Sequence, residues 1–175
     1  MSTSTEAAWR WNVPGFFNIG VACTDAHLGT PAAGHTAMIV EDDRAGTSSA
    51  TFAELADASS RFAQLLRNLG VAPGERVLIR LPNSLAYPVA FLGAMKRGAI
   101  AVPTSTLLVA EEVRYLAEDS GAAVLVTHGS MWPDLEPALR DLPGLRHVIL
   151  AGAGRLPAAP PGRCALHDLD AALAA

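Results

Sequence analysis

The middle of the chain alternates between strand-like apolar runs and stretches with helical character. Residues 76–81 are apolar apart from two arginines, as expected of a strand that is covered on both faces. The stretches that follow predict a helix over 85–96, a strand over 99–103, a helix over 111–119 and a strand over 123–127. Gly98 and Gly121 stand where the two helices should end, because glycine readily adopts the left-handed cap. This order predicts a parallel sheet with helices on its faces.

Elements on either side extend the pattern. Thr51 and Glu54 have the spacing of a capping box, and the apolar stripe after them predicts a helix that ends at Gly70. Before this helix, residues 36–40 are predicted to pair with residues 50–52 as a hairpin. The other predicted elements are a short helix over 21–28, a helix over 131–140, a strand over 147–150 and a small helical piece over 166–174.

These elements predict the fold class and the domain boundaries. We expect an α/β fold with a doubly wound, mostly parallel sheet, helices on both faces and an edge β-hairpin, since parallel crossovers are right-handed. Residues 1–15 are predicted to be an N-terminal leader, and residues 16–151 the α/β subdomain. Residues 152–175 are predicted to be a linker, rich in glycine, alanine and proline, and the start of a further segment.

Composition limits the classes of function. The 175 residues carry a net charge of −4 and no cluster of basic residues, so we expect no nucleic-acid partner. No apolar run approaches the roughly 18 residues of a membrane span, and the first residues do not resemble a signal peptide, so we expect no membrane partner. Cys23 and Cys164 have no metal-ligand spacing and predict free thiols in a cytoplasmic protein.

Candidate chemistry is sparse at the ends of the predicted strands. Doubly wound sheets bind ligands outside the carboxyl ends of their strands. The residues at those ends are 83–84, 104–106, 128–130 and 152–154. The glycines of the last segment lack the third glycine and the helix of a dinucleotide fingerprint, and no Walker sequence occurs in the chain. The strand-end serines, Ser84, Ser105 and Ser130, do not lie in a nucleophile elbow.

The remaining polar candidates favour structural roles. His128 and His147 could act as bases, but no nucleophile is paired with them, and we interpret them as satisfied or solvent-facing. Lys96, the only lysine, is predicted to complement the dipole at a helix end. The acidic run 41–43 is predicted to be a solvated loop, because no further carboxylates converge on it in sequence. We therefore expect no catalytic, cofactor-binding or metal-binding residue in this chain.

Several segments together carry a resemblance to a known family. They are FNIG at 17–20 with DAH at 25–27, TFAEL at 51–55, LGVAPGERV at 69–77 with LPNS at 81–84, and FLGAMKRGAIAVP at 91–103. In this order and spacing, the chain resembles the N-terminal portion of the adenylate-forming, AMP-binding superfamily, specifically acyl- and aryl-CoA synthetases. Residues 106–108 are similar to benzoate-type CoA ligases, whereas residues 17–20 are more like short- and medium-chain acyl-CoA synthetases. The acyl group therefore stays open.

The resemblance implies an acid–thiol ligase reaction. A carboxylate attacks ATP to give an acyl-adenylate and pyrophosphate, and the CoA thiol then displaces AMP. ATP, Mg²⁺ and CoA are the cofactors that the resemblance implies for full-length members. The family's phosphate loop, adenine-binding segment, ribose-binding aspartate and C-terminal lysine have no counterpart in this sequence. We therefore expect a partial N-terminal domain of the adenylate-forming fold, a fragment that is inactive alone and binds none of these cofactors.

One family position can be compared directly. Some members hold the CoA nucleotide phosphate with an arginine in the loop after the second signature strand. Aligned on Gly98 and Glu112, that position is Leu107 here, so the contact is missing. Two interpretations stay open for Thr104 and Ser105, which border the acyl or pantetheine path or else cap the helix that follows. These two residues and Leu107 form the predicted wall of the substrate path.

Three hypotheses for the role of the chain follow. In the first, its partner is the rest of a ligase chain, or a second copy that binds through exposed apolar surface. In the second, the chain is a truncated ligase paralogue that acts as a protein-interaction or regulatory module. In the third, it is a free-standing flavodoxin-like module that binds a ligand.

Overall fold

The computed structural model describes residues 10–12, 14–42, 46–157 and 164–174. The helices in this part of the chain are α1 Ile19–Cys23, α2 Phe52–Asn68, α3 Ala86–Arg97, α4 Ala110–Ser120, α5 Trp132–Leu139 and α6 Leu169–Ala174. The strands are β1 Thr36–Asp42, β2 Gly46–Thr51, β3 Arg76–Arg80, β4 Ile100–Pro103, β5 Ala122–His128, β6 His147–Ala151 and β7 Ala165–Asp168. Short 3₁₀ turns occupy Asp25–His27, Pro31–Gly34 and Gly129–Met131.

Strands β3 to β7 form one parallel sheet in the order β4-β3-β5-β6-β7. The chain leaves β3 in one direction to form β4, and then passes to the other side of β3 to form β5. The strand order therefore reverses between β3 and β5, which is the switch point of a doubly wound sheet. The predicted parallel, doubly wound architecture is confirmed.

Each face of the sheet has its own hydrophobic core. Ile79 and Val126 point to the face that is covered by α2, α3 and α6. Leu78 and Leu125 point to the opposite face, which is covered by α4 and α5. Because both faces are covered, all four side chains are fully buried.

Local hydrogen bonds fix the predicted ends of the helices. The hydroxyl of Thr51 accepts from the amide of Glu54, and the Glu54 carboxylate accepts from the amide of Thr51 at 2.8 Å, so the predicted capping box is confirmed. Gly98 and Gly121 have φ values of 78° and 60° at the ends of α3 and α4, as predicted for left-handed caps.

The start of α3 has no side-chain cap. Its N-cap is Leu85, which has a helical conformation and makes no side-chain cap hydrogen bond. The Ser84 hydroxyl instead donates to the carbonyl oxygen of Pro82 at 3.2 Å. Residues 82–84 therefore form a turn that leads β3 into α3.

The C-terminal part of the described chain differs more strongly. Residues 165–168 form β7, which pairs in parallel with β6, so the helix predicted over 166–174 is wrong in its first part. The helix α6 begins only at Leu169. The sheet therefore continues beyond residue 151, into the stretch whose sequence predicts a linker and a further segment.

The predicted hairpin is confirmed as the antiparallel pair β1–β2. It forms a two-stranded sheet of its own and does not extend the main sheet. Both of its strands are longer than the sequence predicts, and α2 begins directly at the end of β2. The hairpin therefore lies beside the helices α2 and α3 rather than at an edge of the parallel sheet.

The segment before the hairpin packs on α3. In place of the helix predicted over 21–28, the structure has α1 followed by a 3₁₀ turn. The side-chain amide of Asn18 donates to the carbonyl oxygen of Met95 at 2.8 Å, and its oxygen accepts from the amide of Val21. Gly20 lies so close to α3 that a Cβ there would be 2.6 Å from the carbonyl oxygen of Leu92. The FNIG segment is therefore a docking element for α3.

No helix within the described ranges is long and apolar enough to span a bilayer. Cys23 is exposed and Cys164 is buried, and both are free thiols. Burial raises the pKa of the Cys164 thiol.

Candidate functional site

The candidate site is the edge of the sheet at which the carboxyl ends of the parallel strands meet. The segments there are 81–84 after β3, 104–109 after β4, 129–131 after β5 and 152–157 after β6. Because the strand order reverses between β3 and β5, the crevice that a ligand would occupy in this fold lies between the first and third of these segments.

Arg80 occupies this crevice. It is the last residue of β3, lies opposite Thr127 of β5, and is only 7% exposed. Its Nη2 donates to the carbonyl oxygens of Thr106 at 2.7 Å and of Leu108 at 2.9 Å. Burial lowers the pKa of the guanidinium from its ordinary value. Arg80 therefore fastens loop 104–109 over the ends of the strands, a role that its position as a charged residue in an apolar strand could have signalled.

Three buried polar atoms near Arg80 have no hydrogen-bond partner within the described part of the chain. They are Arg80 Nε, Thr104 Oγ1 and Thr127 Oγ1. The three residues lie at the ends of neighbouring strands, since the amide of Thr104 donates to the carbonyl oxygen of Ile79 at 2.9 Å. All three atoms are enclosed by protein, so none of them is open to a ligand in this structure.

The three predicted wall residues differ in their exposure and hydrogen bonds. Thr104 is half-buried, whereas Ser105 is exposed and its hydroxyl accepts from the amide of Leu107 at 3.1 Å. Leu107 is 90% exposed. Neither Thr104 nor Ser105 caps α4, because the N-cap is Val109, whose amide donates to the carboxylate of Glu112. The capping interpretation is therefore wrong, and the role of these residues in a substrate path stays a prediction.

His128 does have a hydroxyl beside it, contrary to the expectation. Its Nδ1 lies 2.8 Å from the Ser130 hydroxyl and also accepts from the Ser130 amide at 3.3 Å. This arrangement caps the 3₁₀ turn that begins at Gly129. The Nε2 atom packs against Gly152 so closely that a Cβ there would clash with it. The pair is therefore a turn motif, and among the described residues no further group bonds to the serine hydroxyl.

His147 lies away from the carboxyl edge, because it is the first residue of β6. Its Nδ1 is 3.1 Å from Nε2 of His167 on β7, a partner that the sequence did not indicate. Burial lowers the pKa of both imidazoles, and the neighbouring Arg146 lowers that of His147 further. The two rings lie within hydrogen-bonding distance, as expected of satisfied histidines, and this contact joins β7 to β6.

Lys96 contacts the N-terminal segment that packs on α3. Its ammonium group forms an ion pair with Asp25 and donates to the Ala56 carbonyl oxygen and the Ser60 hydroxyl, each at 3.0 Å. Burial opposes ionisation of Asp25, but hydrogen bonds from Lys96 and Thr24 outweigh it and hold the pKa of this carboxyl below its usual value. Lys96 thus links the 3₁₀ turn at Asp25 and helix α2 to α3. The interpretation that it only complements a helix dipole is incomplete.

These residues do not fit ATP and Mg²⁺. Binding of a triphosphate needs free lysine or backbone amides around the phosphates and oxygen ligands for the metal. Lys96 is already paired, and within the described residues no three His, Cys, Asp or Glu side chains converge as a metal site requires. Within the described residues, the carboxyl edge therefore offers neither a free lysine nor a cluster of metal ligands.

A cleft near this edge lies between β1 and α3 and has a volume of ≈ 560 Å³. It is lined on one side by residues 38–41 and on the other by residues 83–92 of the turn and helix. Tyr87 and Phe91 stack with ring centroids 6.3 Å apart along the helical side. We call this cleft the β1–α3 groove.

The chain is similar to several CoA ligases over part of their length. The chain is 36% identical over 109 residues to the 4-hydroxybenzoate–CoA/benzoate–CoA ligase of Rhodopseudomonas palustris, covering 62% of this chain and 20% of the relative. It is 38% identical over 96 residues to the long-chain-fatty-acid–CoA ligase FadD13 of Mycobacterium tuberculosis, covering 54% of this chain and 19% of the relative. The chain thus spans about a fifth of the length of these curated relatives.

Solved structures of CoA ligases also superpose on this chain. A benzoate CoA ligase from Burkholderia xenovorans superposes with a TM-score of 0.69 at 29% identity, covering 91% of this chain and 29% of the other. The anthranilate CoA ligase AuaEII, solved with anthranoyl-AMP, superposes with a TM-score of 0.75 at 26% identity, covering 93% of this chain and 29% of the other. The family model described as AMP-binding enzyme matches residues 26–161. The chain belongs to the AMP-binding enzyme family.

Proposed function

We propose that the chain is the N-terminal part of an acid–thiol ligase that forms acyl- or aryl-CoA through an acyl-adenylate. The family match over residues 26–161 carries this proposal. Both aryl and fatty-acid ligases are among the relatives, so the proposed substrate is a carboxylic acid of either class. ATP, Mg²⁺ and CoA are proposed to bind only when the rest of the ligase is present.

In this proposal the chain supplies a rigid support and no reacting group. Arg80 holds loop 104–109 over the sheet. We propose that Thr104, Ser105 and Leu107 of this loop border the path of the acyl group or of pantetheine. The exposed side chain of Leu107 would face the CoA nucleotide where some ligases have an arginine. The partner is proposed to be the rest of the ligase polypeptide, and the compartment the cytoplasm.

Pyrophosphate exchange tests the proposed inactivity of the isolated chain. We expect no ATP–pyrophosphate exchange from the 175-residue chain with benzoate or a medium-chain fatty acid, while a full-length benzoate ligase assayed in parallel is active. Exchange should appear when the chain is mixed with the complementary part of the Thauera aromatica benzoate–CoA ligase, a 36% identical relative. Exchange by the chain alone would contradict inactivity, and failure of the mixture would contradict the supporting role.

Substitution of Leu107 tests the proposed substrate path, in the mixture of this chain with the complementary part of the ligase. Leu107→Arg should lower the KM for CoA and leave adenylate formation unchanged, because a guanidinium there can pair with the nucleotide phosphate. Val109→Arg, on another exposed residue two positions further, is the matched control and should have no such effect. An equal change in both variants would indicate general attraction of CoA by positive charge.

A second candidate function is favoured by the exposed apolar side chains on several elements. Phe17, Ile39 and Tyr115 are each more than half exposed, as in a module that binds another protein. A truncated ligase paralogue of this kind would bind an intact ligase and change its activity without restoring a missing part. Co-sedimentation with an intact ligase would favour the regulatory function. Restored pyrophosphate exchange in the mixture described above would favour the supporting function.

A further inference from the structure

A row of three polar residues crosses the sheet at its switch point. Arg80 ends β3, Thr127 lies opposite it on β5, and Thr104 follows β4 on the other side. The amide of Thr104 donates to the carbonyl oxygen of Ile79 at 2.9 Å, so Thr104 lies level with Arg80. The residues two positions before the row pack in the core under α4 and α5, and these are Leu78, Val102 and Leu125. Because alternate residues of a strand point to the same face, the three polar side chains share that face.

The side chains of this row have unused hydrogen-bonding capacity. Arg80 Nε and the hydroxyls of Thr104 and Thr127 are buried and bond to no group among the residues that the structure describes. Polar atoms inside a protein are nearly always bonded to a protein group, to water or to a ligand. The Nε–H group can only donate, and each hydroxyl can donate its hydrogen. The row therefore matches a bound species that accepts hydrogen bonds.

The guanidinium of Arg80 is a buried cation without a close counter-ion in the described ranges, where no ion pair includes it. Its hydrogen bonds go to neutral acceptors, which are the carbonyl oxygens of Thr106 and Leu108 and the sulfur of Met131. Asp134 attracts the charge, but burial outweighs this attraction and the pKa of the guanidinium is lowered. Since buried charges are normally paired, a negatively charged acceptor matches the site better than a neutral water molecule does.

The enclosure of the site limits the size of this acceptor. Thr127 is fully buried and Arg80 is only 7% exposed, and two hydrogen bonds fasten loop 104–109 across the guanidinium. A phosphate or carboxylate that belongs to a larger molecule would need an opening for the rest of that molecule. A single ion needs no such opening. The acceptor is therefore expected to be a small inorganic anion.

We propose that Arg80 and Thr127 bind a chloride ion at the switch point of the sheet, with the hydroxyl of Thr104 as a third donor. The ion accepts from Arg80 Nε and from the Thr127 hydroxyl, and its charge compensates that of the guanidinium. It thereby stabilises the residue that holds loop 104–109 over the strands. This inference does not depend on ligase activity.

Urea unfolding of the 175-residue chain tests the proposal, with gluconate replacing chloride at constant ionic strength. A rise from about 1 to about 100 mM chloride should lower the equilibrium constant of unfolding about tenfold, as expected for a site with a dissociation constant of about 10 mM. The effect should saturate as the site fills. Screening by salt would not distinguish two anions of the same charge, so a difference between them indicates binding.

The variant Thr127→Val removes one donor and keeps the shape of the side chain. In gluconate it should be neutral or stabilising, because a buried hydroxyl without a partner is lost. In chloride it should be less stable than the wild type, and its unfolding should no longer depend on chloride. Thr24→Val is the matched control, since Thr24 is equally buried but its hydroxyl lies 2.7 Å from both the Gly20 carbonyl oxygen and the Asp25 carboxylate. This control should lose the same stability in both anions. Thr104→Val replaces Thr127→Val if the latter does not fold.

Crystals of the chain grown in bromide locate the ion, because bromide scatters X-rays anomalously. We expect an anomalous peak in contact with Arg80 Nε and the Thr127 hydroxyl. A water molecule at that position, or unfolding that does not respond to chloride, would overturn the proposal. A chloride dependence that persists in Thr127→Val would also overturn it, since the ion would then bind elsewhere. None of these results bears on pyrophosphate exchange, so they are independent of the ligase assay.

Discussion

At the scale of single residues, Lys96 ties three separate segments together. Its side chain is only 6% exposed, and its partners lie on the 3₁₀ turn at Asp25 and on α2. The sequence could place a lysine at the end of α3, but it could not identify partners that are brought near only when the N-terminal segment docks. Pairing between distant residues depends on tertiary packing, which no local pattern records.

Replacement of this lysine tests how much its ion pair with Asp25 stabilises the fold. Lys96→Met should lower the free energy of unfolding by about 2 kcal/mol, because the carboxylate of Asp25 loses its partner in a partly buried site. Arg61→Met, which breaks the exposed ion pair with Asp57, should cost less than about 0.5 kcal/mol. Urea unfolding measures both variants. Equal effects would show that the Lys96 ion pair is no stronger than a surface pair.

Glu75 provides the clearest pH dependence. Both of its oxygens accept from the Arg146 guanidinium at 2.8 Å, and the pKa of the carboxyl is lowered from 4.5 to about 2, mainly by these bonds. Between pH 4.5 and about 2 the unfolded chain therefore binds a proton at Glu75 that the folded chain does not. Stability from this group is present above pH 4.5 and is lost as the pH falls to about 2.

The variant Glu75→Gln should therefore reduce the loss of stability between pH 5 and pH 2.5. We expect a difference of about 1 kcal/mol, since the side chains of Glu75 and Arg146 are 27% and 44% exposed and solvent screens the pair. Urea unfolding at a series of pH values measures it, with Glu118→Gln as the control. A pH slope identical to that of the wild type would mean that the ion pair is not formed in solution.

At the scale of elements, prediction succeeded where a single local rule decides the outcome. The capping box at Thr51 and the glycine ends of α3 and α4 depend on a few neighbouring residues. The strand β7 could not be predicted, because its short sequence with His167 and Asp168 has no strand pattern and pairs only through β6. The wall residues Thr104 and Ser105 were located at the carboxyl edge by topology, but their hydrogen bonds could not be.

The contact between α2 and α3 depends on a small residue. A Cβ at Gly93 would lie 2.6 Å from the carbonyl oxygen of Ser59 and 2.8 Å from Cδ1 of Phe62. Gly93→Ala should therefore force the helices apart and cost about 1–3 kcal/mol. Gly144→Ala, where the nearest atom would be 3.9 Å away, is the matched control and should be close to neutral. The midpoint of urea unfolding distinguishes them, and similar midpoints would show that the helices can separate at little cost.

At the scale of the whole molecule, the order of elements was enough to predict the sheet, since strands that alternate with helices have few possible topologies. The sequence could not show which surfaces stay uncovered. Phe16, Phe17 and Ile19 are exposed beside α3 on one face of the sheet. Leu107, Val109 and Tyr115 are exposed on loop 104–109 and α4, on the opposite face. The molecule therefore carries exposed apolar surface on two sides.

Two different apolar surfaces on opposite sides favour head-to-tail association, which does not close into a dimer. We expect the isolated chain to sediment faster as its concentration rises, without reaching a limiting dimer. Leu107→Lys combined with Tyr115→Lys should reduce this association, because charge on one of the two surfaces prevents its burial. Thr47→Lys combined with Ser49→Lys, on exposed positions of β2, adds the same charge and should leave association unchanged. A clean monomer at every concentration would contradict the expectation. Equal suppression by both pairs would instead indicate that net charge, rather than these surfaces, controls association.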